Sequence, residues 1–340
     1  MDLERKSLRI GAAVIVCAIV LRLGSTGFFR PLVELLRQPG AAAVLMFLET
    51  GRVTKQAGAD GPFWALESPA PEQETTVPAE EETDPPKTEQ DAPVFTAADM
   101  DYVNMRYVCD YRPDLETLLL QELGWDLWQD APTVLILHTH TTESYTKTSG
   151  ENYEESGSYR TLDENYNMLS LGDLLTEKLE AGGLKVLHDR TLHDYPSYNG
   201  SYDDARKSIQ KYLAEYPSIQ LVIDLHRDAA DTASGQLSTS ATVNGQESAQ
   251  LMMFIGTNES GLNHPNWQRN LSLALKLHVL LERENPGLTR PIVLRAQRFN
   301  QDSTPWTILV EVGAAGDTHQ KAVNAISPLA EAILELANAD

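Results

Sequence analysis

From about residue 131 onward, apolar positions fall into short unbroken runs separated by longer stretches of helical period. The runs are TVLILH (133–138), LKVLHD (184–189), IQLVIDLH (219–226), LMMFIG (251–256), PIVLRAQ (291–297) and TILVEVG (307–313). Continuous apolar runs of this length, rich in β-branched residues, predict strands buried on both faces, as in parallel sheets. Between them, residues 167–183 put Leu169, Leu171, Leu174, Leu175 and Leu179 on one broad face and stop at two glycines, which predicts an amphipathic helix. Residues 201–217 begin on Ser201 and end before Pro217, and residues 266–285 and 320–339 carry longer helical periods. Residues 99–124 read as a helical preface. Strands alternating with helices predict an α/β fold, a single doubly wound mixed or parallel sheet flanked by helices. There is no internal repeat.

The first hundred residues follow other patterns. Arg5, Lys6 and Arg9 precede an apolar core from Ile10 to Leu21. Twelve residues are short against a bilayer core of roughly 30 Å, but the run extends to about Phe29 if Arg22 snorkels. No Ala-x-Ala cleavage pattern follows closely. These features predict an uncleaved transmembrane anchor with its N-terminus in the cytoplasm and the rest of the chain outside. From Glu67 to Asp101 there are eleven acids against one lysine, with prolines at 69, 71, 78, 85, 86 and 93. Such a stretch cannot bury enough apolar surface to offset its ordering entropy and reads as an extended linker. The expected organisation is a cytoplasmic tip and anchor (1–30), a juxtamembrane segment and acidic linker (31–94), and a catalytic domain (95–340).

A net charge of −22 argues against a nucleic-acid-binding surface. The two cysteines, Cys17 and Cys109, form no disulfide framework and no Cys-x-x-Cys pair, so any metal site must draw on His, Asp and Glu.

Those residues gather at predicted strand ends. His138 and His140 close the first run, His226 lies in DLHRD, and Glu311 in VEVG. In open α/β sheets ligands bind beyond the carboxyl ends of strands. Three N/O ligands and an open position make a catalytic zinc site. An extended backbone sends His138 and His140 to one face, which allows both as ligands; a turn after the strand makes His140 with Glu143 equally workable. Asp224 or Asp228 is placed to orient the His226 imidazole. Glu311, at the end of a buried strand, suits a general base. Arg227 and His138 are the nearby candidates to stabilise an anion formed at such a site. Tyr145, Tyr153, Trp267 and Trp306 are candidates to line a groove, and Asn258, Arg298 and Asn300 to meet substrate.

The blocks LILHTHTTESY, NMLSLGDLLTEKLEAGGLKVLHD, DLHRDA, FIGTNE, NWQRNLSLALKL, RFNQD and LVEVGAAGDT occur in the order seen in the stage II sporulation protein P family, which the chain resembles over about residues 100–340. The resemblance implies a membrane-anchored, zinc-dependent peptidoglycan hydrolase acting in engulfment. It would cut the amide between glycan and stem peptide (an N-acetylmuramoyl-L-alanine amidase) and also peptide cross-links, alongside stage II sporulation proteins D and M. It also implies His140, Glu143 and His226 as metal ligands and Glu311 as the catalytic glutamate, with His138, Asp163, Asp224 and Arg227 around them. The wider amidases take their middle carboxylate further on, just ahead of an Asn on the first helix; here LDENYNM would nominate Asp163 or Glu164 instead of Glu143. The competing expectation is a non-catalytic, membrane-anchored wall-binding scaffold, and a third is a wall carboxypeptidase with the same site.

Overall fold

The computed structural model describes residues 92–338 except Gly157 and Ser234. They fall within a compact unit, Ala79–Asp340. The expected anchor and nearly all of the acidic linker lie outside the described residues. Among the described residues no helix is long and apolar enough to cross a membrane.

In chain order the elements are a 3-10 turn (Ala97–Tyr102), β1 (Met105–Val108), α1 (Leu115–Leu120), β2 (Val134–Leu137), α2 (Met168–Ala181), β3 (Val186–His188), α3 (Ser201–Glu215) and β4 (Leu221–Asp228). Two small hairpins follow, β5 (Asp231–Thr232) with β6 (Gly235–Gln236) and β7 (Ala241–Val243) with β8 (Gln246–Ser248). Then come β9 (Leu251–Gly256), α4 (Trp267–Glu284), β10 (Ile292–Arg295), β11 (Trp306–Ala314) and α5 (His319–Ala337).

Seven strands form one sheet in the order β1-β10-β9-β11-β4-β2-β3. Strands β11, β4, β2 and β3 run one way and β1, β10 and β9 the other, so the sheet is mixed, with one antiparallel junction at β9–β11. Its main core packs α1, α2, α4 and α5 against residues such as Ile136, Ile223, Met253 and Val310. Helix α4 is buried from Asn270 to Leu281. Lys276 is accommodated there because its Nζ donates to the Leu119 carbonyl at 2.7 Å. The other face carries α3, which buries Ala205 and Ile209, spaced i, i+4, over Leu135, Leu137 and Val222 and leaves its polar residues outward.

The expected helical preface is overturned. Met105–Val108 is an edge strand on β10 with alternating half-buried and exposed residues, and α1 is only six residues long. A four-residue alternation carries too little period to separate it from helix, and its partner β10 lies far along the chain.

Candidate functional site

Glu311 on β11 and His226 on β4 are register partners, and Leu309 stands beside Asp224 two residues earlier. Residues two apart on a strand share a face, so Asp224, His226 and Glu311 all project on the α3 side, in line with Val222 of that core. Just past Glu311 the chain turns at Gly313, where φ is 68° and an added Cβ would lie 2.6 Å from the Asp317 carboxylate. That carboxylate accepts from Ala314 N, Thr239 N and the Thr239 and Ser238 hydroxyls, which fixes the exit of β11.

The first loop comes from β2. The strand ends at Leu137, opposite Asp224, and the chain turns because Asp224 accepts from Thr139 N at 2.8 Å and from its hydroxyl at 2.6 Å. The turn closes with Glu143 N donating to the His140 carbonyl at 3.2 Å. His140 thus lies edge-on to His226, with ring centroids 5.2 Å apart and planes at 84°. Glu143 Oε2 stands 3.6 Å from His226 Nδ1. On the other edge of the ring, Nε2 is 2.8 Å from Asp224 Oδ1, though not aligned as a hydrogen bond.

The electrostatics follow from this packing. Burial alone would lower the His226 pKa, but Asp224 and Glu143 carry it well above the ordinary value. Burial alone would raise Glu143, but Arg227, with the histidines, holds it well below the carboxylate range. His140, buried and less well paired, is lowered to about 4. Glu311 behaves differently. Its Oε2 is buried without a hydrogen-bond partner, and burial pushes its pKa up to about 8. A carboxyl tuned to near neutrality is suited to taking and returning a proton.

Among the described residues, no three His, Cys, Asp or Glu side chains are already gathered closely enough to hold a metal ion. The donor chemistry nevertheless fits zinc. The 3.6 Å between Glu143 Oε2 and His226 Nδ1 is too long for a hydrogen bond. It is close to the roughly 3.4 Å between two atoms on one tetrahedral zinc at about 2.1 Å. His140 would complete a His/Glu/His set, and Asp224 lies on the far edge of the His226 ring. The two nitrogens of His140 meet Tyr198 OH at 3.1 Å and Ser201 Oγ at 3.3 Å.

Other expected residues sit elsewhere. His138 does not share a face with His140; it is buried on the α2 side, where Nδ1 meets the Leu225 carbonyl at 2.9 Å and Nε2 meets His188 at 2.8 Å. The strand stops at Leu137, and the turn at Thr139 separates the two histidines. Asp163 caps a local turn at Asn165, and Glu164 is exposed and paired with Arg190, so neither stands where Glu143 does. Arg227 is spent on the Ser144 and Tyr159 carbonyls, 2.9 Å each, and on Glu143. Asp228 pairs with Arg290, leaving the orienting place to Asp224. Tyr145, Tyr153 and Trp306 are core residues, and Trp267 stacks on Tyr111. Asn258 is exposed on a turn closed by its carbonyl. Arg298 pairs with Asp302, and Asn300 holds the Tyr202 carbonyl.

The sequence reading missed Tyr198, Ser201 and Tyr202, all against His140, and Arg160, which lies over the Tyr198 ring. A signal was present: YPSYNGSY follows the strand next to β2 and leads into a helix, on the sheet edge where ligands bind.

A sequence model of stage II sporulation protein P matches residues 54–334. The stage II sporulation protein P of Bacillus subtilis (strain 168) is 27% identical over 221 residues, covering 61% of this chain and 51% of that protein. The chain therefore matches about half the length of that relative. Among solved structures, the CwlD amidase of Clostridioides difficile, in complex with the GerS lipoprotein, is similar at a TM-score of 0.36 and 11% identity, over 61% of this chain and all of that one. The apo N-acetylmuramyl-L-alanine amidase Ami1 of Mycobacterium abscessus is similar at 0.36 and 14% identity, over 61% of this chain and 97% of that one. With the family's sequence model covering most of its length, this chain belongs to the stage II sporulation protein P family.

Proposed function

We propose that this chain is a zinc-dependent peptidoglycan hydrolase of sporulation that cuts the amide between glycan and stem peptide, with peptide cross-links as a second target. The observation that carries the reading is the buried Glu311 carboxyl, its Oε2 unpartnered, beside His226, with Glu143 and His140 on the same edge. Membership of the family supports the substrate class.

His140, Glu143 and His226 would hold the zinc. Bound there, zinc supplies a Lewis acid that polarises the scissile carbonyl and acidifies a water molecule. Glu311 takes the proton of the attacking water and returns it to the leaving nitrogen, a two-way task matched to its raised pKa. Asp224 fixes the His226 ring through Nε2, and Arg227 keeps Glu143 ionised and in place. The basic and apolar N-terminal segment supports a membrane-anchored chain with this domain on the wall side, where stage II sporulation proteins D and M are the proposed partners.

The test is digestion of purified peptidoglycan by the full chain with zinc, beside His140→Ala and Glu311→Gln, with products identified by mass. Free stem peptides from the wild type alone support the amidase reading, and uncrosslinked muropeptides the second activity. An intact sacculus that binds the protein without being cut would establish the scaffold instead.

A further inference from the structure

Attack on an amide puts negative charge on the carbonyl oxygen, and a site that hydrolyses amides needs a hydrogen-bond donor aimed there. The two side chains that the sequence nominates are committed elsewhere. The nitrogens of Arg227 bond to Ser144, Tyr159 and Glu143, and both ring nitrogens of His138 are engaged with Leu225 and His188.

Tyr198 stands in a different position. It lies on the loop between β3 and α3, is 40% exposed, and stacks on the His140 imidazole with centroids 4.5 Å apart and planes at 19°. Arg160 lies 4.5 Å from the centre of the same ring, itself within ion-pair range of Glu143 at 3.8 Å and Asp194 at 3.5 Å. The ring is thus fixed by an imidazole and a guanidinium. Its hydroxyl has one partner among the described residues, His140 Nε2 at 3.1 Å. In the tautomer with the proton on Nδ1, 3.3 Å from Ser201 Oγ, Nε2 carries the lone pair and the phenol donates to it. In that tautomer the hydroxyl is held at the nitrogen that would face a metal, 3.1 Å away. A metal held by Nε2 would leave the hydroxyl without that partner, on a ring that stacks against His140.

We propose that Tyr198 is a further catalytic residue, donating its hydroxyl to the scissile carbonyl oxygen as that oxygen gains charge. The phenol keeps its proton throughout, and no bond to tyrosine is made. The inference rests on the hydrolase reading above.

The experiment uses the full chain and Tyr198→Phe, which keeps the ring and removes the hydroxyl. The kinetic readouts are kcat and KM on a soluble muropeptide. The others are zinc per chain, thermal melting, and the calorimetric affinities of two uncleaved ligands. One ligand is a phosphinate that replaces the scissile amide with a tetrahedral anion; the other is the ordinary amide, bound to a Glu311→Gln background. The expected result is a kcat lower by about 10²–10³ with KM little changed, since that is the usual effect of removing one oxyanion donor. Zinc and melting stay the same, and the phosphinate loses affinity by a comparable factor while the amide does not. Tyr198→Phe with wild-type kcat, or with both ligands weakened alike, overturns the proposal and leaves the hydrolase standing. A wild-type chain that cuts no peptidoglycan bond overturns the hydrolase reading and Tyr198's role with it.

Discussion

Glu311 and His226 face the same side of the sheet as register partners on neighbouring parallel strands, yet only His226 is flanked by ion-pair partners. Asp224 and Glu143 flank the imidazole, whereas Glu311 Oε2 has no hydrogen-bond partner. Burial raises the proton affinity of the Glu311 carboxyl, while Asp224 and Glu143 favour the charged form of His226 beside it, and that asymmetry has a measurable consequence.

The Glu311 pKa is raised by burial from 4.5 to about 8. Between those values the folded chain binds more protons than the unfolded one, so the contribution is full below pH 4.5 and is lost as pH rises through about 8. Above pH 6.5, where the lowered histidines are neutral in both states, metal-free wild type should therefore melt at falling temperature up to pH 8.5. Glu311→Gln, neutral at every pH, should lose part of that slope and melt no lower than wild type at pH 8.5. Scanning calorimetry of the two chains across that range checks it; parallel curves would show that Glu311 is ionised when folded.

Asp224 touches His226 from behind and also accepts both donors of Thr139, so it orients a ligand and shapes the loop that delivers His140. Removing such an orienting carboxylate typically costs 10–100-fold in metal affinity. Asp224→Asn should weaken zinc by about that factor in chelator competition, and Thr139→Val, which removes only the hydroxyl bond, by clearly less. Equal losses in the two variants would mean that the loop, not the imidazole, is what Asp224 serves.

The α/β architecture was legible because its cause is local. The apolar runs and the helical periods between them reappear as β2, β3, β4, β9, β10, β11 and the helices α2 to α5, with ends shifted by a few residues. What was hidden depends on contacts between distant segments. The antiparallel turn of β9 against β11 leaves no mark on either apolar run. His138 and His140 look equivalent in HTH, and they part only because Asp224, more than eighty residues on, binds Thr139 and ends the strand. Tyr198 lies in a loop with no period, and only the fold shows that this loop covers His140.

Glu143 and Arg227 form a buried pair, and removing one partner strands the other. Breaking such a pair costs about 3–5 kcal/mol. Arg227→Ala should also orphan the Ser144 and Tyr159 carbonyls, both bonded at 2.9 Å. We expect Arg227→Ala to destabilise the chain by that amount or more in urea unfolding. Glu143→Gln should cost less, because the amide still accepts a hydrogen bond. A loss of under 1 kcal/mol in Arg227→Ala would show that water reaches this pair.

His264 lies 0% exposed, and neither of its ring nitrogens has a hydrogen-bond partner. Burial lowers its pKa to about 4, with Asp302 pulling upward and Arg298 pushing downward. The depressed value means that the unfolded chain binds the extra proton first. Stability is then full above pH 6.5 and falls as pH drops toward about 4, by at most about 1.4 kcal/mol per pH unit for one histidine. His138, lowered to about 3, and His140, lowered to about 4, act in the same sense. Acid unfolding of the metal-free chain should thus be steep over this interval. His264→Leu, which fills the same apolar place without a titrating group, should show a shallower fall but not a flat one, because the other histidines lowered by burial remain. Urea midpoints at half-unit steps from pH 7 to pH 4 measure the difference. Identical slopes in wild type and His264→Leu would mean that the imidazole finds water or a partner when it charges.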